Sequence, residues 1–214
     1  MQEKKDGNLC WEDINGDNKI NGLDREVVGN IFPKVTGGFS STLSWKGISL
    51  YARFDYALGH TLYNDLAART LGQYQGAFNI ITEVKDMWSE DNPNSDLPAF
   101  YYADQLAKKN ITRSNNASAS RHNNSSRLYE KADYLALREL TLSWDLPKAW
   151  TSKAFIQNAS VYVTGQNLFY VTGYTGTSPE PVLTNSDNNE NLYGVDQGRY
   201  PTPRTVLFGL SVTF

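Results

Sequence analysis

Apolar and polar residues alternate with period two in five separate stretches of this 214-residue chain. The clearest is I-S-L-Y-A-R-F-D-Y-A-L, where Ile48, Leu50, Ala52, Phe54, Tyr56 and Leu58 share one face and Ser49, Tyr51, Arg53 and Asp55 the other. Period two is the signature of a strand with one apolar face. The stretch before it sets Phe39, Leu43 and Trp45 against Ser40, Thr42 and Ser44, and Lys46-Gly47 between them reads as a tight hairpin. Strand patterns return at residues 134–146, where Pro147 stops them, at 159–172, and at 204–214, R-T-V-L-F-G-L-S-V-T-F. K-A-W-T-S-K-A-F-I, after Pro147, fits a short helical turn.

The connections alternate in length. Lys46-Gly47 and the segment after Pro147 are short links, whereas residues 60–133 and 173–203 are long and polar. Within the first long link, L-Y-N-D-L-A-A-R-T-L and F-N-I-I-T-E-V-K-D-M-W have helical spacing, and R-S-N-N-A-S-A-S-R-H-N-N-S-S is a low-complexity polar loop. Short turns at one end of the strands and long loops at the other form the layout of an outer-membrane β-barrel. With Lys46-Gly47 on the periplasmic side, the strands run down, up, down, up, down, and the last ends in the periplasm. The expected fold class is all-β: an antiparallel up-and-down meander of about five strands. The segments are 1–35 (polar), 36–59 (strand hairpin), 60–133 (long loop), 134–172 (strand hairpin), 173–203 (loop) and 204–214 (closing strand).

Composition narrows the classes. The net charge of −3 removes the basic face that nucleic-acid binding requires, so no nucleic-acid partner is expected. No apolar run reaches the 18 or more residues of a membrane helix, which leaves a membrane strand protein open. Tyr (13) and Trp (5) are abundant, as in barrel girdles and in carbohydrate binders alike. One cysteine, Cys10, excludes an internal disulfide framework. The N-terminus M-Q-E-K-K-D-G-N has no apolar signal core, so the chain is either cytoplasmic or a piece of a longer exported one.

Candidate chemistry is sparse. Asp13, Asn15, Asp17, Asn21 and Asp24 follow calcium-loop spacing at positions 1, 3, 5, 9 and 12, with the Lys19 carbonyl at position 7. Calcium takes six to eight oxygens, and this alternation aims them inward. Asn18 stands where glycine is usual, and Asp24 where glutamate is usual. The alternative is an Asx-rich turn held by its own side chains. His60 and His122 have no ligand partner at a useful spacing and read as loop residues. Asp86, Glu90, Asp91 and Asp96 lie in a turn-rich acidic stretch that reads as a solvated loop rather than a carboxylate catalytic pair. Trp88, Phe100, Tyr101 and Tyr102 are candidates for contact with a substrate or a capping partner. No convergent set of titrating groups suggests an enzyme.

Several segments resemble the C-terminal part of the SusC/RagA family of TonB-dependent outer-membrane transporters of Bacteroidetes. They are D-I-N-G-D-N-K-I-N-G-L-D with P-K-V-T-G-G-F, then Y-L-A-L-R-E-L-T-L-S-W-D-L-P, V-Y-V-T-G-Q-N-L-F-Y-V-T-G-Y-T-G-T-S-P-E and G-V-D-Q-G-R-Y-P-T-P-R-T-V-L-F-G-L-S-V-T-F. The resemblance runs in order over nearly the whole chain and is weakest at residues 60–127. It implies part of a large transmembrane barrel, of 22 strands with a plugged lumen, in the outer membrane of a Gram-negative cell. It implies import of an oligosaccharide or peptide beneath a SusD-like lipoprotein, driven by TonB through an N-terminal part this chain lacks. The apolar faces are then expected to meet membrane lipid, and the loops 60–133 and 173–203 to be extracellular. Gly209, Val212 and Phe214 resemble the final-strand signal read by the outer-membrane assembly machinery, with Leu207 at its usually polar upstream position. Five strands cannot close a barrel, and an open edge is not viable in lipid, so the chain reads as a fragment. A dockerin-like calcium-binding adhesion module and a siderophore-type receptor are the competing expectations. A dockerin needs two calcium loops with helices, whereas strands follow the one loop here.

Overall fold

The structure, a computed structural model, describes residues 12–18, 22–71, 79, 81–97, 126–181 and 193–214. Among these, the strands in chain order are β1 (Val35–Trp45), β2 (Ile48–Leu58), β3 (Thr61–Asn64), β4 (Tyr129–Lys131), β5 (Tyr134–Asp145), β6 (Asn158–Thr172), β7 (Val195–Asp196) and β8 (Thr205–Thr213). Two short helices, α1 (Asp65–Thr70) and α2 (Lys148–Thr151), and three 3-10 turns complete the elements. No helix among the described residues is long and apolar enough to cross a membrane, a fact that says nothing of strands. The chain divides into two compact units.

The larger sheet lies in one unit, with strand order β1-β2-β5-β6-β8 and every neighbour antiparallel. These are the five strands that the alternation marks out. Lys46 (φ 48°) and Gly47 (φ 84°) both adopt left-handed conformations. Such a two-residue turn has the twist that matches the flanking strands. Pairing is continuous from Trp45↔Ile48 to Val35↔Leu58. The outer edges of β1 and β8 carry no further strand among the described residues.

Register separates two faces. Leu43↔Leu50↔Leu142↔Val163↔Phe208 form one row and Trp45↔Ile48↔Trp144↔Val161↔Leu210 the next, all apolar. Phe39 and Phe54 stack within this face, ring centroids 4.9 Å apart. The face is open rather than packed: Phe208 is 81% exposed, Trp45 69% and Leu210 65%. A soluble monomer rarely shows a contiguous apolar face of this extent. The opposite face carries Ser44↔Ser49↔Ser143↔Tyr162↔Gly209 and Thr42↔Tyr51↔Thr141↔Thr164↔Leu207. Gly209 is required there by Tyr162: a Cβ at 209 would stand 2.0 Å from the ring carbon Cζ. The aromatic ring thereby shields an otherwise bare strand position.

The alternation contains one dislocation. Phe54 pairs with Leu137 and Arg53 with Glu139, so Arg138 is an extra residue, a β-bulge. β6 answers with its own irregularity. Gln166 faces Glu139 and Phe169 faces Leu137, while Asn167 takes φ 52°.

The second unit holds a small sheet of order β4-β3-β7, in which β3 and β7 run parallel. Its core is Tyr63, Leu128 and Val195, with Ala67 and Tyr129 against it. Here the helical expectation for Leu62–Leu71 needs correction. Thr61–Asn64 is strand and only Asp65–Thr70 is helix, because Asn64 ends the strand and caps the helix, its Oδ1 accepting the Ala67 N–H at 2.9 Å. Likewise, the helical spacing of residues 78–88 yields only a 3-10 turn at Thr82–Asp86.

Candidate functional site: the polar face and its cluster

The polar face is a hydrogen-bonded wall rather than a pocket. Thr141 and Thr164, directly opposite each other, join their hydroxyls at 2.8 Å, and Ser44 and Ser49 do the same across the hairpin. The Thr141 hydroxyl also reaches Glu139 Oε1 at 3.2 Å. Arg53 and Glu139 face each other in register. Such side chains satisfy one another while leaving donors and acceptors for a passing polar solute.

The wall ends in a denser cluster around the bulge. Strict alternation from Leu140, Leu142 and Trp144 would put Arg138 on the apolar face. The bulge turns it to the polar one, where its Nε donates to Asp55 Oδ2 at 2.5 Å and its Nη2 pairs with Glu180. Its Nη1 donates to the Tyr170 hydroxyl at 2.8 Å, and that hydroxyl donates to Glu180 Oε1 at 2.8 Å. The guanidinium also lies 5.3 Å from the Tyr170 ring centroid. Behind it, Ala57, Tyr134 and Ala136 form a small buried core against Tyr170.

Glu180 belongs to the segment after β6, and a second tie holds the same segment. His60 is buried, and its Nε2 donates to the Pro179 carbonyl at 2.8 Å. That bond places a proton on Nε2 and leaves Nδ1 buried and without a hydrogen-bond partner. Tyr134 meets the His60 ring edge-on. Asp133 accepts the Gly59 N–H at 2.5 Å through Oδ1 and the Thr172 hydroxyl at 2.8 Å through its carbonyl. His60 is therefore a structural tie within its loop. The residues of this cluster lie far apart in sequence, which is why sequence reasoning missed them. The one available signal is the three-residue step from Leu137 to Leu140 in an otherwise two-residue rhythm.

The other candidates are placed as follows. Asp13 gathers three backbone N–H groups, those of Gly16 (2.8 Å), Asp17 (3.2 Å) and Asn18 (2.6 Å), and Asn18 is left-handed at φ 61°. Asp24 Oδ1 accepts the Ile14 N–H, and Asn15 Oδ1 that of Asp17. The described part of the loop thus has the Asx-turn arrangement, with the residues at both ends of the calcium pattern drawn together. Lys19 and Asn21 lie outside the described residues. Among the described residues no group of three or more His, Cys, Asp or Glu is set to hold a metal. The amide and carbonyl oxygens of a calcium set are of a different kind. Trp88 is half-buried, its N–H on the Leu97 carbonyl at 2.9 Å, in a turn where Asn92 Nδ2 donates to the Asp86 carbonyl. Phe100, Tyr101, Tyr102, His122 and Cys10 lie outside the described residues. Val212 pairs with Ala159 in the β6–β8 ladder, and Phe214, just past the end of β8, is 81% exposed.

An antiparallel five-strand sheet with one lipid-compatible face and one polar face is a section of a β-barrel wall. Comparison with known proteins gives the same class. No family model matches the chain. It is 30% identical over 211 residues to TonB-dependent receptor P3 of Formosa agariphila, covering 97% of this chain and 19% of that protein. It is also 30% identical over 209 residues to TonB-dependent receptor P26 of the same organism, 97% of this chain and 20% of that protein. Among solved structures it resembles the RagAB peptide transporter, with TM-score 0.64, 28% identity, and 86% of this chain on 17% of that one. The RagAB peptide importer in the closed-closed state gives TM-score 0.65 at 28% identity, over 88% and 18%. The chain thus spans about a fifth of the curated relatives it matches. Its homologues are TonB-dependent receptors and its structural neighbours are RagAB proteins, consistent with part of a SusC/RagA-type barrel.

The cluster generates a prediction. Arg138→Leu in the intact protein removes the shared partner of Asp55 and Glu180 and leaves two carboxylates facing each other. It should cost about 1–3 kcal/mol, less than a fully buried pair because both carboxylates are partly exposed. Glu180→Gln, which keeps a hydrogen-bond acceptor, should cost less. Hydrogen exchange should quicken across residues 173–181 in the arginine variant, and an unchanged exchange pattern would show that the cluster does not hold the segment.

Proposed function

We propose that this chain forms part of the wall of a TonB-dependent outer-membrane transporter that imports a peptide or oligosaccharide together with a SusD-like surface lipoprotein. The observation that carries the reading is the separation of faces across all five strands: apolar and exposed on one side, polar and hydrogen-bonded on the other. In a barrel the first face meets lipid and the second lines the lumen. The two open edges then pair with the remaining strands, since no edge is tolerated in hydrocarbon. The long links face outward toward substrate and lipoprotein. TonB supplies the energy through a part of such receptors outside this span. The likeness to RagAB, a peptide importer, favours peptide over glycan as cargo.

Two local roles belong to the same reading. A calcium ion held by Asp13, Asn15, Asp17, the Lys19 carbonyl, Asn21 and Asp24 would stiffen the segment before β1. Its support is that the described part of the loop brings Asp24 to the Asp13 end. Phe214, with Gly209 and Val212, would serve as the address recognised during barrel assembly. Its support is an exposed terminal aromatic just past the end of β8.

Three experiments test these roles. Cells lacking the full-length transporter should lose uptake of fluorescent oligopeptides while oligosaccharide uptake continues. The purified transporter should also retain a surface lipoprotein. Undiminished uptake of both cargoes would overturn the transport reading. Calorimetry of the intact transporter should show binding heat with calcium at or below millimolar concentration, abolished by Asp13→Ala; no heat would remove the ion. Deleting Phe214 from the full-length protein should reduce the folded, heat-modifiable form in the outer membrane, and normal insertion would refute the assembly role.

A further inference from the structure

The connections at one end of the large sheet are unequal. β1 and β2 are joined by two residues, Lys46-Gly47, whereas β5 and β6 are joined by twelve, Leu146 to Gln157. A two-residue turn suffices for an antiparallel pair, so the longer link needs a reason. It is not slack. Trp150 and Thr151 donate their N–H groups to the Pro147 carbonyl at 2.9 and 3.3 Å, and Ile156 donates to Thr151 at 3.1 Å. The buried Thr151 anchors it from beneath. The turn nevertheless presents its large apolar groups outward: Trp150 is 59% exposed and Phe155 92%. Phe155 is also left-handed, at φ 59°, a conformation that costs a bulky residue strain.

Two observations say what covers these groups. Trp150 meets Trp144 edge-on, centroids 5.8 Å apart, and Trp144 belongs to the apolar face of the sheet. The turn therefore continues that face beyond the ends of the strands. Trp45 lies at the same end and on the same face, and Phe214 directly follows β8 there. Lys148 and Lys153 flank the exposed aromatics, and Lys46 sits over the Trp45 ring at 4.8 Å. The acidic group of this end is Asp145, which falls in the register of the polar face. Aromatic rings with lysines at the margin of a lipid-facing surface match a headgroup zone: rings at the boundary, ammonium groups toward phosphate.

We propose that the β5–β6 turn, Pro147 to Ile156, is a phospholipid anchor. Trp150 and Phe155 enter the headgroup zone of the periplasmic leaflet, and Lys148 and Lys153 select anionic phospholipid there. The inference rests on the membrane-barrel reading above. It accounts for the length of the link, for the outward Trp150 and for a strained aromatic left in the open. A ring in that zone gains burial that it lacks in water.

The test uses the intact transporter, freed of other reactive cysteines and reconstituted in nanodiscs of phosphatidylethanolamine and phosphatidylglycerol. Nitroxide labels are placed singly at Phe155→Cys and at Phe208→Cys, the latter in the middle of the apolar face. Collision with oxygen against a water-soluble nickel complex then reports depth. The 155 label should sit at headgroup depth and the 208 label deeper. A 155 label as open to nickel as a free loop, with the 208 label in lipid, overturns the anchor and leaves the barrel standing. A 208 label in water overturns both. Lipid competition followed by native mass spectrometry supplies the charge test. Lys148→Gln with Lys153→Gln should lower the preference for phosphatidylglycerol over phosphatidylcholine by about fivefold for each lysine. An unchanged preference overturns the selection of anionic lipid.

Discussion

The register between β2 and β5 decides what every other part of this molecule faces. Side chains alternate with a period of two, so a slip of one residue would carry an entire apolar set to the opposite side. Ten rungs from Ile48↔Trp144 to Ala57↔Tyr134 hold that register, and the single bulge at Arg138 is its one controlled departure. Without the bulge, alternation from Trp144 would point Arg138 to the apolar side, where its charge would have no partner. With it, the same residue joins Asp55, Tyr170 and Glu180 on the polar side. Leu135 and Leu137 then resume the apolar face one residue out of step with Leu140 and Leu142.

From that register follow two surfaces with opposite demands. The apolar face meets no protein partner among the described residues, and in water so many exposed rings and aliphatic groups would invite association. Hydrocarbon removes the penalty. It also imposes a stricter rule, because every backbone N–H and C=O must then be bonded within the wall. The β1-β2-β5-β6-β8 ladders pair the interior strands on both sides, interrupted only around Arg138. The polar face has more freedom, being wet. It uses short hydroxyls in pairs, as at Thr141 and Thr164.

The alternation made the five long strands and the hairpin at Lys46-Gly47 legible, since each has six or more residues of consistent period. The small sheet was not legible. β7 is two residues long, and its parallel pairing with β3 joins Tyr63 to Val195 across more than a hundred positions. Leu62–Leu71 shows helical spacing over its whole length, yet its first three residues extend because Tyr63 is drawn into the core with Leu128 and Val195. Tertiary packing overrode local preference there. The cluster around Arg138 was hidden for a related reason. Its members come from β2, β5, β6 and the following loop, and nothing local marks Asp55 or Glu180 as partners. The pattern in Asp13–Asp24 was visible as spacing alone, and spacing cannot separate an ion site from the Asx turns that the same residues form.

The ties at the outer end of the sheet bear on how a β-barrel wall carries its loops. A long link leaving a strand would fray without buried contacts. Here the segment 173–181 is held twice, by the carboxylate of Glu180 on Arg138 and by the Pro179 carbonyl on His60. The two ties differ in kind. The arginine pair is partly open to solvent and weakened by salt. The histidine bond is buried and out of reach of salt. A link fastened by one screened contact and one shielded contact keeps a fixed root. The barrel wall thus reaches beyond its ladders at both ends: outward through Arg138 and His60, and at the opposite end through the aromatic turn between β5 and β6.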